Sequence, residues 1–251
     1  MLDPPLREWK IIAGDFLPIV ENIEFSCGAD EETDEFIENI NKFLHRHTSP
    51  LIRSLKIFFA WGDESLEEHK IQLKECIEFA LNKSVYDLDV YCPSYDDWDD
   101  LFVVPKRLFA CPSITSLKLR TCQFNPQQTF GGLKSLRFLY LKEACTSNKA
   151  FKATLENCLL LEELTLQDSF CEYEMRILAS EDSQLKSLLV IDSHLCDSDS
   201  HEPNAARKIE VAVPNLKKVD FYGRLFDNYK FQNHLSLEEV CIDSTMHKRD
   251  E

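Results

Sequence analysis

The sequence predicts an α/β solenoid, with short parallel strands side by side on a concave face and helices and loops on the convex face. Two observations carry this. The first is a short strand pattern that recurs, apolar and polar residues alternating through "LLLEELTLQD" (residues 159–168), "SITSLKLRTC" (113–122) and "LKSLRFLYLK" (133–142). Alternation at period two marks a strand with one buried face. The second is the spacing of the copies.

With the central apolar residue of each strand as a marker, the series runs Ile23, Leu55, Leu88, Leu117, Leu139, Leu164, Leu188, Val219 and Val240. Successive differences are 32, 33, 29, 22, 25, 24, 31 and 21. An apolar residue precedes the marker by three positions, as Ile114 precedes Leu117 and Leu161 precedes Leu164. Another follows two positions on, as Leu119, Leu141, Leu166, Val190, Phe221 and Ile242 do. Strand-length patterns at such an irregular period are the signature of a leucine-rich-repeat solenoid. Each unit has an apolar face it cannot hide alone, and stacking hides it. The repeat domain is expected over residues 22–244, after an N-terminal segment 1–21 and before a disordered tail 245–251 with no periodicity.

Between markers the text turns helical. "TDEFIENINKFLHRH" (33–47) sets Phe36, Ile37, Ile40, Phe43 and Leu44 on one helical face, with Thr33 as N-cap. "SLEEHKIQLKECIEFALNKS" (65–84) opens with a capping box, Ser65 and Glu68, and then buries Leu73, Cys76, Ile77, Ala80 and Leu81. "NKAFKATLENCLLL" (148–161) repeats the idea with Phe151, Leu155 and Cys158, and "EYEMRILAS" (172–180) predicts a shorter helical piece around Met175 and Leu178. Two polar insertions, "YCPSYDDWDD" (91–100) and "DSHLCDSDSHEPNAARK" (192–208), read as loops, and the second accounts for the 31-residue spacing.

Composition narrows the function. Lys and Arg number 28 against 44 Asp and Glu, a net charge of −16. Such a surface repels phosphate backbones, so no nucleic-acid partner is expected; the acidity serves solubility or suits a basic partner. No apolar run is long enough for a membrane helix, and "MLDPPLREWK" (1–10) lacks the profile of a secretory signal. The cytoplasm or nucleus is therefore the expected compartment. Ten cysteines with no C-x-x-C pair read as reduced, buried thiols. Those near strand ends, Cys92, Cys122 and Cys145, are expected to help satisfy backbone groups between units.

Candidate chemistry is thin. Asp96, Asp97, Asp99 and Asp100 lack the spacing and glycine of a calcium loop. His45 and His47 lie two apart and point to different helix faces, so they read as polar residues at a helix end rather than metal ligands. His194 and His201, with Cys196 and Asp197, sit in a loop and make a poor metal site. Gly131 and Gly132 read as a plain loop before a strand. With no P-loop, dinucleotide glycine pattern or G-x-S-x-G, the expectation is a protein with no catalytic residues, cofactor or metal. Binding remains, and the outward strand positions are its candidates, because inward ones are spent on packing: Lys118, Arg120, Arg137, Tyr140, Thr165 and Gln167, joined by Trp98 in the acidic loop. Their mixed charge suits another protein better than a small ligand.

Four phrases add a family resemblance. "DEFIENINKFLHRHTSPLIRSLKI" (34–57), "PKRLFACPSITSLKLRTCQF" (105–124), "NCLLLEELTLQDS" (157–169) and "VPNLKKVDFYG" (213–223) resemble, in order, the leucine-rich-repeat part of plant F-box/leucine-rich-repeat proteins. The resemblance covers roughly residues 22–244. It implies a repeat domain that holds the substrate of a ubiquitin ligase, with an F-box that docks on a cullin-type adaptor. Here too few residues precede Ile23 for the packed helices of an F-box, and "LREWK" (6–10) resembles at most a remnant of its end. Adaptor docking is thus not expected on this chain. The expectation is a substrate-recognition module, and the alternative is a free-standing binding module or decoy.

Overall fold

Ile23 lies opposite Leu55, Leu55 opposite Leu88, and so on through Leu117, Leu139, Leu164, Leu188, Val219 and Val240, so all nine markers form one row of a single parallel sheet. This computed structural model describes residues 21–27, 33–59, 66–91, 101–126, 131–169, 174–191, 208–223, 226–232 and 235–244. The N-terminal segment, the tail, both polar insertions and the Ser65–Glu68 capping pair lie wholly or mainly outside them, and Trp98, His194 and His201 with the insertions.

In chain order the first half comprises β1 (Asn22–Cys27), α1 (Thr33–Arg46), β2 (Ser54–Phe59), α2 (Leu66–Asn82), β3 (Asp87–Tyr91), β4 (Phe102–Val103), β5 (Ser116–Arg120), β6 (Cys122–Gln123) and β7 (Phe138–Lys142). The second half comprises α3 (Asn148–Asn157), β8 (Glu163–Gln167), β9 (Glu174–Leu178), β10 (Ser187–Ile191), β11 (Lys208–Ala212), β12 (Lys218–Tyr222), β13 (Asn228–Gln232) and β14 (Glu239–Asp243). The main sheet runs β1-β2-β3-β5-β7-β8-β10-β12-β14, and two small parallel sheets, β13-β11-β9 and β4-β6, lie beside it.

The alternation dictates which face is buried. Markers from Leu55 to Val219 and the apolar residues two positions on are buried in one continuous core with α1, α2 and the second sheet. Fully hiding such a side chain stabilises by about 2 kcal/mol, so the stack rather than any single unit holds the fold. The residue three before each marker closes the same core, as Ile52, Val85, Ile114, Leu136, Leu161, Leu185 and Leu216 do. At the last strand the burial ends: Val240 and Ile242 of β14 are half exposed.

Strand exits share one device. Thr121, Glu143, Asp168 and Gly223, each just after a strand of the main sheet, have φ of 53°, 50°, 47° and 93°. Each donates its N–H to the last carbonyl of the next strand, on Lys142, Gln167, Ile191 and Asp243, at 2.9, 2.9, 3.0 and 2.9 Å. The left-handed residue turns the chain out of the sheet while adding one more rung to it.

The convex side departs from expectation in its C-terminal half. Residues 174–178 form strand β9, not a helical piece: Met175 and Ile177 are buried, whereas Leu178 is 40% exposed. Period two wins over the weak helical spacing of Met175 and Leu178. The free edge of β9 is covered by helix α3, where the Asn148 side chain accepts from Arg176 N–H at 2.8 Å and donates to Glu174 C=O at 2.7 Å. One side-chain amide thus stands in for a neighbouring strand. Ser147 caps α3, its hydroxyl accepting from Ala150 N–H at 3.2 Å. On the other edge of β9, β11 pairs in parallel with it, and only its first residue, Lys208, falls within the insertion expected to be a loop.

Further details are local. Thr33 is the first residue of α1. Both histidines lie at the C-terminal end of α1, as expected, but differ in burial: His47 is 5% exposed, packed between Phe43 and Phe79 with ring centroids 5.5 and 5.4 Å away, while His45 is exposed. A side-chain link between units is made by Ser169, whose buried hydroxyl donates to Gln167 C=O at 2.7 Å and accepts from Ala144 N–H at 3.0 Å. Gly132 is more than loop. A Cβ there would meet the Ala110 carbonyl carbon at 2.2 Å, whereas one on Gly131 would meet nothing within 4 Å.

Candidate protein-binding face

Odd positions of the five-residue strands point away from the core and form three columns across the main sheet. The middle column runs Glu24, Lys56, Asp89, Lys118, Tyr140, Thr165, Leu189, Asp220 and Cys241. The column at the strand exits runs Ser26, Phe58, Tyr91, Arg120, Lys142, Gln167, Ile191, Tyr222 and Asp243. Parallel pairing in register puts chemically chosen side chains about 4.8 Å apart across strands.

Arg120 is the hub. Its guanidinium donates to the Asp89 carboxylate on β3, and it lies 5.5 Å from the Phe58 ring centroid and 5.4 Å from that of Tyr140. The Arg120 side chain is 20% exposed and that of Asp89 15%, so the pair is partly desolvated and stronger than a surface pair. Tyr140 extends the network by donating its hydroxyl to Gln167 Oε1 at 2.8 Å. A connected set of side chains thus spans β2, β3, β5, β7 and β8.

The structure therefore brings together three of the candidates, Arg120, Tyr140 and Gln167. Thr165 lies beside Tyr140 in the middle column, half-buried. Lys118 shares that column, between Asp89 and Tyr140, and is exposed with no ion pair among the described residues. Arg137 stands apart, one residue before β7, where it pairs with Glu162, which also takes Lys186 Nζ at 3.0 Å. These two cations, Lys186 first, hold the Glu162 carboxyl below its ordinary pKa. Phe58, Asp89, Lys142, Leu189 and Asp220 were missed, although the signal that finds them is the same odd-position rule applied to every marker.

Metal-site geometry is lacking: among the described residues no group of three or more His, Cys, Asp or Glu side chains could hold an ion. The described cysteines Cys76, Cys111, Cys122, Cys145, Cys158 and Cys241 are free thiols. Burial pushes the Cys76 and Cys158 thiols up to about 12, which leaves them protonated and inert. Among the described residues no helix is long and apolar enough to cross a membrane.

This in-register sheet with its alternating core is what a leucine-rich repeat requires, and the family model described as "At1g61320/AtMIF1, LRR domain" matches residues 34–249. The chain belongs to this leucine-rich-repeat family. Relatives of the At1g61320/AtMIF1-type domain come from Arabidopsis thaliana. FBD-associated F-box protein At5g38590 is 29% identical over 128 residues, 51% of this chain and 29% of the relative. F-box/LRR-repeat protein 13 is 24% identical over 192 residues, 76% of this chain and 39% of the relative. F-box/FBD/LRR-repeat protein At1g78750 is 23% identical over 240 residues, 94% of this chain and 49% of the relative. The chain spans about half or less of the length of these curated relatives. No solved structure matches it significantly.

Proposed function

We propose that this chain is a non-enzymatic protein-binding module that engages another protein through the open, concave face of its main sheet, as the substrate-recognition part of an F-box-type ubiquitin ligase subunit in the cytoplasm or nucleus. The observation that carries the reading is the Arg120 network. A guanidinium held by Asp89 and two aromatic rings, with a tyrosine held in turn by Gln167, is a rigid, half-exposed aromatic and arginine cluster. Side chains of this kind, already ordered before binding, lose little entropy on contact and anchor protein interfaces. The F-box names of the relatives support the ligase assignment, and six free thiols among the described residues suit a reducing compartment.

Affinity capture from plant cells with the tagged full chain tests this, run beside Tyr140→Ala. A partner recovered with the unchanged chain and lost with Tyr140→Ala is the expected result; equal recovery with both overturns the face assignment. Co-recovery of a cullin adaptor, and a fall in partner level on overexpression, support the ligase role. A partner that rises instead, with no adaptor recovered, leaves a free-standing binding module or decoy.

A further inference from the structure

The middle column is chemically graded across five adjacent strands: Lys118 on β5, Tyr140 on β7, Thr165 on β8, Leu189 on β10 and Asp220 on β12. It reads cation, aromatic, hydroxyl, apolar, anion. Each end holds an unsatisfied group. Lys118 is exposed and has no ion pair among the described residues, in a chain with 16 excess negative charges. Asp220 is 8% exposed, and while its Oδ2 lies 3.4 Å from Lys218 Nζ, its Oδ1 is buried without a hydrogen-bond partner. An unpaired buried carboxylate oxygen is a standing demand for a donor.

Neighbours reinforce the gradient. Lys142 adds a second cation beside Tyr140, only loosely held by Glu143 at 3.7 Å, and strands β5 and β7 carry no acidic residue on this face. Ile191 adds a second half-buried apolar side chain beside Leu189. Four inter-strand steps of about 4.8 Å span about 19 Å, the reach of about six residues of extended chain. The nearest acid, Asp89 opposite Lys118, is taken by Arg120, and charges beyond about 8 Å are largely screened at physiological salt, so the net negative charge of the chain does not cancel the cationic end.

Building on the concave-face reading, we propose that the partner presents an extended segment laid across these strands, with a carboxylate on Lys118, an apolar side chain on Leu189 and Ile191, and a cationic or amide donor on Asp220. The gradient selects a segment that is acidic at one end, apolar in the middle and basic at the other. A uniformly basic segment, the simplest complement to an acidic protein, meets Lys118 and is rejected there.

The test uses the full chain and fluorescein-labelled peptides read by fluorescence anisotropy. The probe Glu-Glu-Ser-Leu-Leu-Ser-Arg is compared with forms in which Gln replaces both Glu residues, Gln replaces Arg, or Lys replaces both Glu residues. The parent peptide is expected to bind about tenfold tighter than the Gln-for-Glu form, with the advantage shrinking as salt rises. Lys118→Glu, at an exposed site where the thermal melt is expected to stay unchanged, is expected to erase that advantage and to favour the Lys-for-Glu peptide. Asp220→Asn is expected to erase the preference for Arg over Gln. Equal binding of charged and neutral peptides, or charge preferences that ignore Lys118→Glu, overturns the proposal. If that happens while Tyr140→Ala still loses the captured partner, the graded segment fails and the face assignment stands; if Tyr140→Ala also retains the partner, both fail.

Discussion

Arg120 and Tyr140 sit on adjacent strands with the guanidinium carbon 5.4 Å from the ring centroid, and Arg120 is closed on its other side by Phe58 at 5.5 Å. The two residues lie 20 positions apart in a sequence that nowhere advertises them as a pair. Strand register alone brings them together, since Lys118 stands opposite Tyr140 and Arg120 opposite Lys142.

Removing the counter-charge is expected to cost stability. Asp89→Asn leaves a partly desolvated guanidinium without its carboxylate and should destabilise by about 1–2 kcal/mol, less than for a fully buried pair. A double-mutant cycle with Arg120→Met, measured by urea unfolding, should give a favourable coupling of about 1 kcal/mol. Additive effects would show that the pair is decorative.

Gly132 and Gly131 should respond oppositely to the same change. Gly132→Ala drives a Cβ into the backbone of Ala110 and Phe109, so a loss of about 2–3 kcal/mol is expected, with a lowered thermal midpoint. Gly131→Ala points into open space and should stay within about 0.5 kcal/mol of the unchanged protein.

The rung supplied by Asn148 makes a third case. Asn148→Ala strips β9 of a donor and an acceptor at once, an expected loss of about 1–3 kcal/mol. Hydrogen exchange should show it locally, with the Arg176 amide losing protection before β8 or β10 does. Loss spread evenly over the chain would assign Asn148 a general helix role instead.

Acid should loosen the strand-entry ladder at Glu162. Its folded pKa lies below the ordinary 4.5 because Lys186 and Arg137 bond its charged form. The stabilisation is therefore present above the unfolded pKa and is lost as pH falls through the lower folded one. Glu162→Gln should lower stability at pH 7 and flatten that part of the acid limb in denaturation curves; parallel curves for both proteins would remove the assignment.

Much of the fold was legible because its rule is local. Ile23 and the other markers needed only an apolar residue two positions on and three before, and all nine fell into one register. The helices α1, α2 and α3 were legible for the same reason, an apolar stripe within one segment. Misreading began where the pattern was short. Five residues around Met175 suit either period, and the choice rested on β11 and on Asn148, which lie 26 or more positions away in the chain. Ser169 and Gly132 were illegible because their roles are contacts with Ala144 and Ala110, not patterns.

By itself, then, the sequence determined the row of buried markers, the parallel stacking they require and the set of side chains left facing outward, because hydrophobic periodicity is written within each repeat. Only the tertiary structure decided which outward residues meet: Arg120 with Asp89, Phe58 and Tyr140, while Arg137 pairs with Glu162 where β7 and β8 begin. The reason is physical. Neighbours on the open face come from different repeats, and their distances depend on in-register hydrogen bonding across strands, which no single repeat encodes.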